Sequence, residues 1–109
     1  MISVEVGFTD SNYKFCMTGH ALYNPGNDIV CSAASGLAQA LYGYLDNRRD
    51  DITVDRMDKD KGQMHISIKG DTSLLPAFEV VTLGLMQIAK KYPEHVSVKI
   101  MRNPDAISI

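Results

Sequence analysis

His20 and Cys31 are the two residues whose types and spacing suggest chemistry. They lie within the stretch Gly19 to Ser35, GHALYNPGNDIVCSAAS. The spacing predicts that His20 ends a strand, a glycine-bracketed loop follows, and Cys31 sits in the first turn of a helix. A thiol in that first turn lies among backbone N–H groups without helical acceptors, at the positive end of the helix dipole. That setting favours the thiolate, the nucleophilic form of cysteine. A histidine held within reach completes the minimal pair of a cysteine hydrolase.

Ordinary structural roles compete for these same residues. Free cysteine is among the most buried residue types, so Cys31 also reads as a small core side chain, and His20 as a polar strand end satisfied by a turn. Cys16 is the competing thiol. It shares strand parity with His20, but four residues of strand rise separate their Cα atoms by roughly 13 Å. No helix start lies beside it, so Cys16 reads as structural. Asp28 has the position of an N-cap, a role worth about 1 kcal/mol; a third catalytic group orienting His20 is the other reading. Ser35, one helical turn beyond Cys31, either hydrogen-bonds near the thiol or permits close packing. His65 and His95 are assigned no chemistry.

The elements that must position this pair follow from hydrophobic spacing. Ile2, Val4, Val6 and Phe8 alternate with polar or small residues, which predicts a half-buried strand. After a turn over 9–12, a second strand runs from Tyr13 to about Gly19, close enough to form a hairpin. Pro25-Gly26 suits the centre of a type II turn. Asn27 and Asp28 are both good caps, and a helix begins after them with Val30, Ala33, Ala34, Leu37, Leu41 and Tyr44 on its predicted buried stripe. It should end near 47–50. A second hairpin follows, with strands over 52–56 and 64–68 and the charged cluster 58–62 as its turn. Asp71 to Ser73 offers another cap. The second predicted helix carries Leu75, Phe78, Val80, Val81, Leu85, Ile88 and Ala89 and stops at Tyr92-Pro93. Val96, Val98 and Ile100 make a last strand, and 102–109 reads as a possible flexible tail. The expectation is a single α+β domain over 1–109 in the order ββαββαβ, with a mainly antiparallel sheet and two packed helices. Polar strand faces leave the second side of that sheet open to water or a partner.

Composition narrows the function classes. The chain has 109 residues, 45% hydrophobic and 22% charged, enough for one core and not for two. Its net charge of −2 argues against a nucleic-acid footprint. No apolar run approaches the roughly 20 residues that span a bilayer, and the start MISVEVGF lacks the pattern of a secretory signal. The expectation is a cytoplasmic protein without a membrane partner. Two cysteines do not make a disulfide framework, and the three histidines are scattered, so neither a metal nor another cofactor is expected.

The same stretch resembles the signature of the ribosomal-processing cysteine proteases (Prp), GHA followed by G-x-DIVC-A-A-x-S. Gly19-His20-Ala21 matches the first part; Gly26, Asp28-Ile29-Val30-Cys31 and Ser35 match the second. Ser32 stands where alanine is usual, and Ala34 where valine is common. The element order and the Tyr92-Pro93 helix end extend the resemblance along the chain. It implies an endopeptidase that removes a short N-terminal extension from a large-subunit ribosomal protein, cleaving after an aromatic pair. It also implies Cys31 as nucleophile, His20 as base and acid, and a homodimer. Backbone N–H groups at the helix start, that of Cys31 included, are the expected oxyanion donors. The loop after His20 is expected to act as a lid hinged at Gly19 and Gly26, with Tyr23 as an apolar wall for substrate. The alternatives are a non-catalytic dimeric ribosome-associated binding or assembly factor, and a redox or acyl-transfer thiol.

Overall fold

The computed structural model describes residues 1–22, 28–107 and 109. Tyr23 and Gly26, the expected substrate wall and hinge, lie outside the described residues, as does the Pro25-Gly26 turn. Among the described residues, five strands and two α-helices follow the expected order: β1 Ile2–Phe8, β2 Asn12–Thr18, α1 Ile29–Asp46, β3 Thr53–Asp60, β4 Gln63–Lys69, α2 Leu75–Lys91 and β5 Val96–Ile100. The sheet order is β3-β4-β2-β1-β5, with every neighbouring pair antiparallel except β1 with β5. Ser3 pairs with Thr18, Thr18 with Gln63, and Ile2 with Val96. The end of β2 therefore meets the starts of β1 and β5 and the β3–β4 turn at one end of the sheet.

One face of the sheet carries Ile2, Val4, Val6, Tyr13, Phe15, Met64, Ile66 and Ile68, all buried. The helices pack on this face. Tyr13 stacks on Phe78 of α2 at 4.9 Å, and its hydroxyl donates to the Asp71 carbonyl at 2.7 Å, so a bulky ring is buried with its polar tip satisfied. By composition alone, Thr72–Lys91 has the length and hydropathy of a membrane span. Here Leu74, Phe78, Val81 and Leu85 from that stretch enter the core.

Four local expectations are corrected. The buried stripe of α1 is Val30, Ala34, Ala38, Leu41 and Leu45, while Ala33 is exposed. A run of small residues carries almost no phase information, so the larger leucines decide which side faces the sheet. In α2, Val80 is 66% exposed. Residues 58–60 belong to β3, and the hairpin turns at Lys61-Gly62. Edge strands tolerate charge, and β3 is an edge strand with a register shift between Val54 and Arg56. The segment 102–109 contains a short turn of 3-10 helix over Pro104–Ala106. Pro104 and Ile107 are buried, lying over Gly7 on the side of the sheet away from the helices.

Candidate active site

The start of α1 is fixed by Asp28. Its backbone is extended (φ −93°, ψ 102°), and its Oδ1 accepts the N–H groups of Val30 and Cys31, each at 2.9 Å. Asp28 thus does what an N-cap does, with two amides satisfied by one carboxylate oxygen. The Cys31 N–H is engaged in this cap, which corrects the expectation that it serves as an oxyanion donor. The cap also fixes the first turn on which the Cys31 side chain is carried, half-buried against the core.

The chain reaches the same place from β2. Gly19 follows the strand at φ +93°, its N–H donates to the Gly62 carbonyl at 2.8 Å, and a side chain there would strike the Met1 carbonyl. Only glycine fits both the left-handed backbone and the close approach. His20 comes next and is exposed; Ala21 turns inward and is 1% exposed. The Ala21 N–H donates to Cys31 Sγ at 3.1 Å. An amide aimed at sulfur serves a thiolate better than a thiol. This contact brings a backbone donor to the Cys31 sulfur.

His20, Cys31, Ser35 and Gly19 line one cavity of about 120 Å³. Ile2, Met17 and Met64 supply its apolar wall, and Gln39, Asp60, Gly62 and Gln63 its polar side. The two residues singled out for chemistry thus line one cavity, and Ser35, named beside them from the sequence, lines it too. Among the described residues, no group of three His, Cys, Asp or Glu side chains converges as metal ligands would.

Two residues here escaped sequence reasoning. Gly62 sits at φ +82° in the β3–β4 turn, and a methyl group on it would lie 3.0 Å from His20 Nε2. Its missing side chain makes room for the imidazole. Asp60-Lys61-Gly62 signals a turn, but nothing local says that the turn abuts His20. His95, in the connection between α2 and β5, places Nδ1 2.8 Å from the Ala21 carbonyl. That contact joins residues far apart in sequence and leaves no trace in local pattern.

Cys16 lies on the other face of the sheet, between Glu5 and His65 in register. Burial, then the Glu5 carboxylate, pushes its thiol above the ordinary cysteine value. Both influences suppress the thiolate, in keeping with a structural role. His65 Nδ1 lies 3.3 Å from Asp58, whose carboxyl is held below its ordinary value chiefly by a hydrogen bond from Arg56, with His65 adding to the effect.

Known proteins are similar to this one in sequence and in fold. The family model described as "Cysteine protease Prp" matches residues 1–97. The ribosomal processing cysteine protease Prp of Mycoplasma pneumoniae is 26% identical over 105 residues, covering 92% of this chain and 99% of its own. Its namesake in Mycoplasma genitalium is 30% identical over 81 residues, covering 73% and 80%. Among solved structures, Prp from S. aureus with a covalently linked product peptide superposes with a TM-score of 0.74 at 23% identity, covering 93% of this chain and 100% of that one. SMU.848 from Streptococcus mutans superposes with a TM-score of 0.66 at 30% identity, covering 94% and 96%. A match spanning most of the chain, with curated relatives of nearly the same length, identifies this protein as a member of the Prp family of cysteine proteases.

Proposed function

We propose that this cysteine peptidase removes a short N-terminal extension from a large-subunit ribosomal protein, with Cys31 as nucleophile and His20 as general base and acid. The observation that carries the reading is the Ala21 amide donating to Cys31 Sγ in a cavity that His20 also lines. His20 takes the proton from Sγ, and the thiolate attacks the scissile carbonyl carbon. The new C–S bond pushes the carbonyl electrons onto oxygen. The Ala21 N–H, already beside sulfur, is within reach of the oxyanion that forms two bonds away, on the carbon that sulfur attacks. On collapse the C–N bond breaks, and the amine leaves with the proton from His20. His20 then deprotonates a water, which hydrolyses the thioester and restores Cys31.

Asp28 acts as the cap that holds Cys31 in place, and Ser35 supports the cavity wall one turn further on. The apolar wall of Ile2, Met17 and Met64 suits an apolar or aromatic side chain next to the cleaved bond, and the polar side suits a peptide backbone. Tyr23 and Gly26 belong to the proposed lid, with Gly19 at its near end. A cytoplasmic homodimer completes the proposal. It takes a protein segment as substrate, with no direct contact to nucleic acid.

Incubation with a peptide copying the extended N-terminus, followed by mass spectrometry, tests this reading. The native protein should give two products cut after an aromatic pair. Cys31→Ala should bind the peptide without cutting it, and His20→Ala should lose turnover. Cleavage by Cys31→Ala would overturn the nucleophile, and a peptide left intact by the native protein would overturn the substrate.

A further inference from the structure

His95 takes no part in the proposed reaction, yet it contacts Ala21, the residue whose N–H is bonded to the Cys31 sulfur. His95 ends the turn just before β5, and its backbone is tied on both sides: its N–H donates to the Tyr92 carbonyl at 2.9 Å, and its carbonyl accepts the Ile2 N–H at 2.9 Å. The ring is therefore carried by a turn anchored at one side to the end of α2 and at the other to β1. Its Nδ1 lies 2.8 Å from the Ala21 carbonyl, which can only accept, so this nitrogen bears the hydrogen. Ala21 is buried, and its own N–H is the donor to Cys31 Sγ. The next residue, Leu22, has φ 57°, a left-handed conformation that a leucine rarely adopts without outside constraint.

We propose that His95 is a positioning residue for the reactive thiol: by holding the Ala21 carbonyl, it fixes the Ala21 amide on Cys31 Sγ. The Ala21 N–H and C=O belong to the two peptide planes that meet at its Cα, and burial of Ala21 together with the clamp on its carbonyl restricts the rotations between them. Without the clamp, the carbonyl turns toward water, the left-handed turn at Leu22 relaxes, and the amide leaves the sulfur. The thiolate loses a donor, and so does the oxyanion that forms beside it. The inference rests on Cys31 being the nucleophile. It ties the start of β5 to the chemistry, although His95 itself touches no reacting atom.

The test compares native protein with His95→Ala, His95→Leu and His95→Asn. Asparagine places an amide N–H near the position of Nδ1, whereas leucine keeps bulk without a donor. The iodoacetamide rate at Cys31 is followed against pH by peptide mapping, with Cys16 as the internal control. Both donorless variants should slow alkylation of Cys31 about tenfold in the lower part of the pH range, the scale of one lost hydrogen bond to a charged group. They should also lower kcat about tenfold at little changed KM, by the same free energy. His95→Asn should restore most of both, and Cys16 should keep its native rate throughout. An unchanged Cys31 rate in folded His95→Ala or His95→Leu would overturn the clamp, as would failure of asparagine to rescue. If the donorless variants do not fold, long-range proton–nitrogen NMR of the native protein decides. A protonated Nδ1 is expected, and a hydrogen on Nε2 alone overturns the proposal. A slowed Cys31 with no peptide cleavage by native protein would refute the proposed substrate and leave the clamp standing. Normal cleavage with an unchanged Cys31 rate would do the reverse.

Discussion

Replacing Asp28 separates a helix cap from a third catalytic group, because alanine and asparagine remove different things. Asp28→Ala strips the acceptor from the N–H groups of both Val30 and Cys31, each now bonded at 2.9 Å. Loss of an N-cap costs about 0.5–2 kcal/mol, and a charged acceptor serving two amides belongs at the upper end, about 2 kcal/mol. At about 4–5 °C per kcal/mol for a domain of this size, Tm should fall by roughly 8–10 °C. Asparagine caps about as well as aspartate. As a cap, Asp28→Asn should therefore keep both hydrogen bonds and lose the attraction of the carboxylate to the helix dipole, about 0.3–1 kcal/mol. If the cap is the whole role, an effect of that size on the transition state changes kcat/KM by at most about fivefold. Urea or thermal denaturation gives the stability ranking, and peptide cleavage gives the activity. An Asp28→Asn protein that melts within a few degrees of the native one but has lost hundredfold or more in kcat/KM, about 2.7 kcal/mol, would refute the cap reading. The carboxylate charge would then be part of the chemistry.

Gly62→Ala should cost about 1–2 kcal/mol from its left-handed backbone and lower cleavage by more than that loss of stability explains, since the new methyl sits 3.0 Å from His20 Nε2; native-like activity would refute the contact. Ile107→Ala should destabilise by about 2 kcal/mol in urea denaturation, because Ile107 is buried on the sheet; no change would mean that the segment is loose. The Asp58 carboxyl, held low by Arg56, contributes stability that is present above the ordinary carboxylate range and fades as pH falls through its depressed value. Its exposure keeps that contribution small. An NMR titration of Arg56→Ala should show Asp58 moving up toward the ordinary value, and an unmoved titration would refute the cause.

Local rules carried the sequence reading as far as local rules reach. Alternation in Ile2 to Phe8 and in Met64 to Ile68 marks real strands, and Asp28 before an apolar run marks the true start of α1. That start is what puts Cys31 in a first turn, so the thiol's placement at a helix N-terminus was legible from spacing. The misjudged features were settled by distant partners. Residues 58–60 extend an edge strand because β4 offers a ladder to pair with, which outweighs their charge. Ala33 and Ala38 are interchangeable by type, and only the sheet beneath α1 selects Ala38. Ile107 finds a bare site at Gly7 that no local window contains. His95 and Gly62 join the site for the same reason: the sheet gathers their strand ends beside His20 and Ala21.

The central claim is that Cys31 is the activated thiol of this fold, and the two cysteines provide a comparison within one molecule. Folded protein is treated with limiting iodoacetamide near neutral pH, and the fraction alkylated at each site is read by peptide mapping. Cys31 receives an amide N–H at its sulfur, while burial and Glu5 suppress the thiolate at Cys16. Cys31 should therefore react at least about tenfold faster, and saturation with substrate peptide should protect it while leaving Cys16 unchanged. Equal rates, or faster labelling of Cys16, would contradict the account.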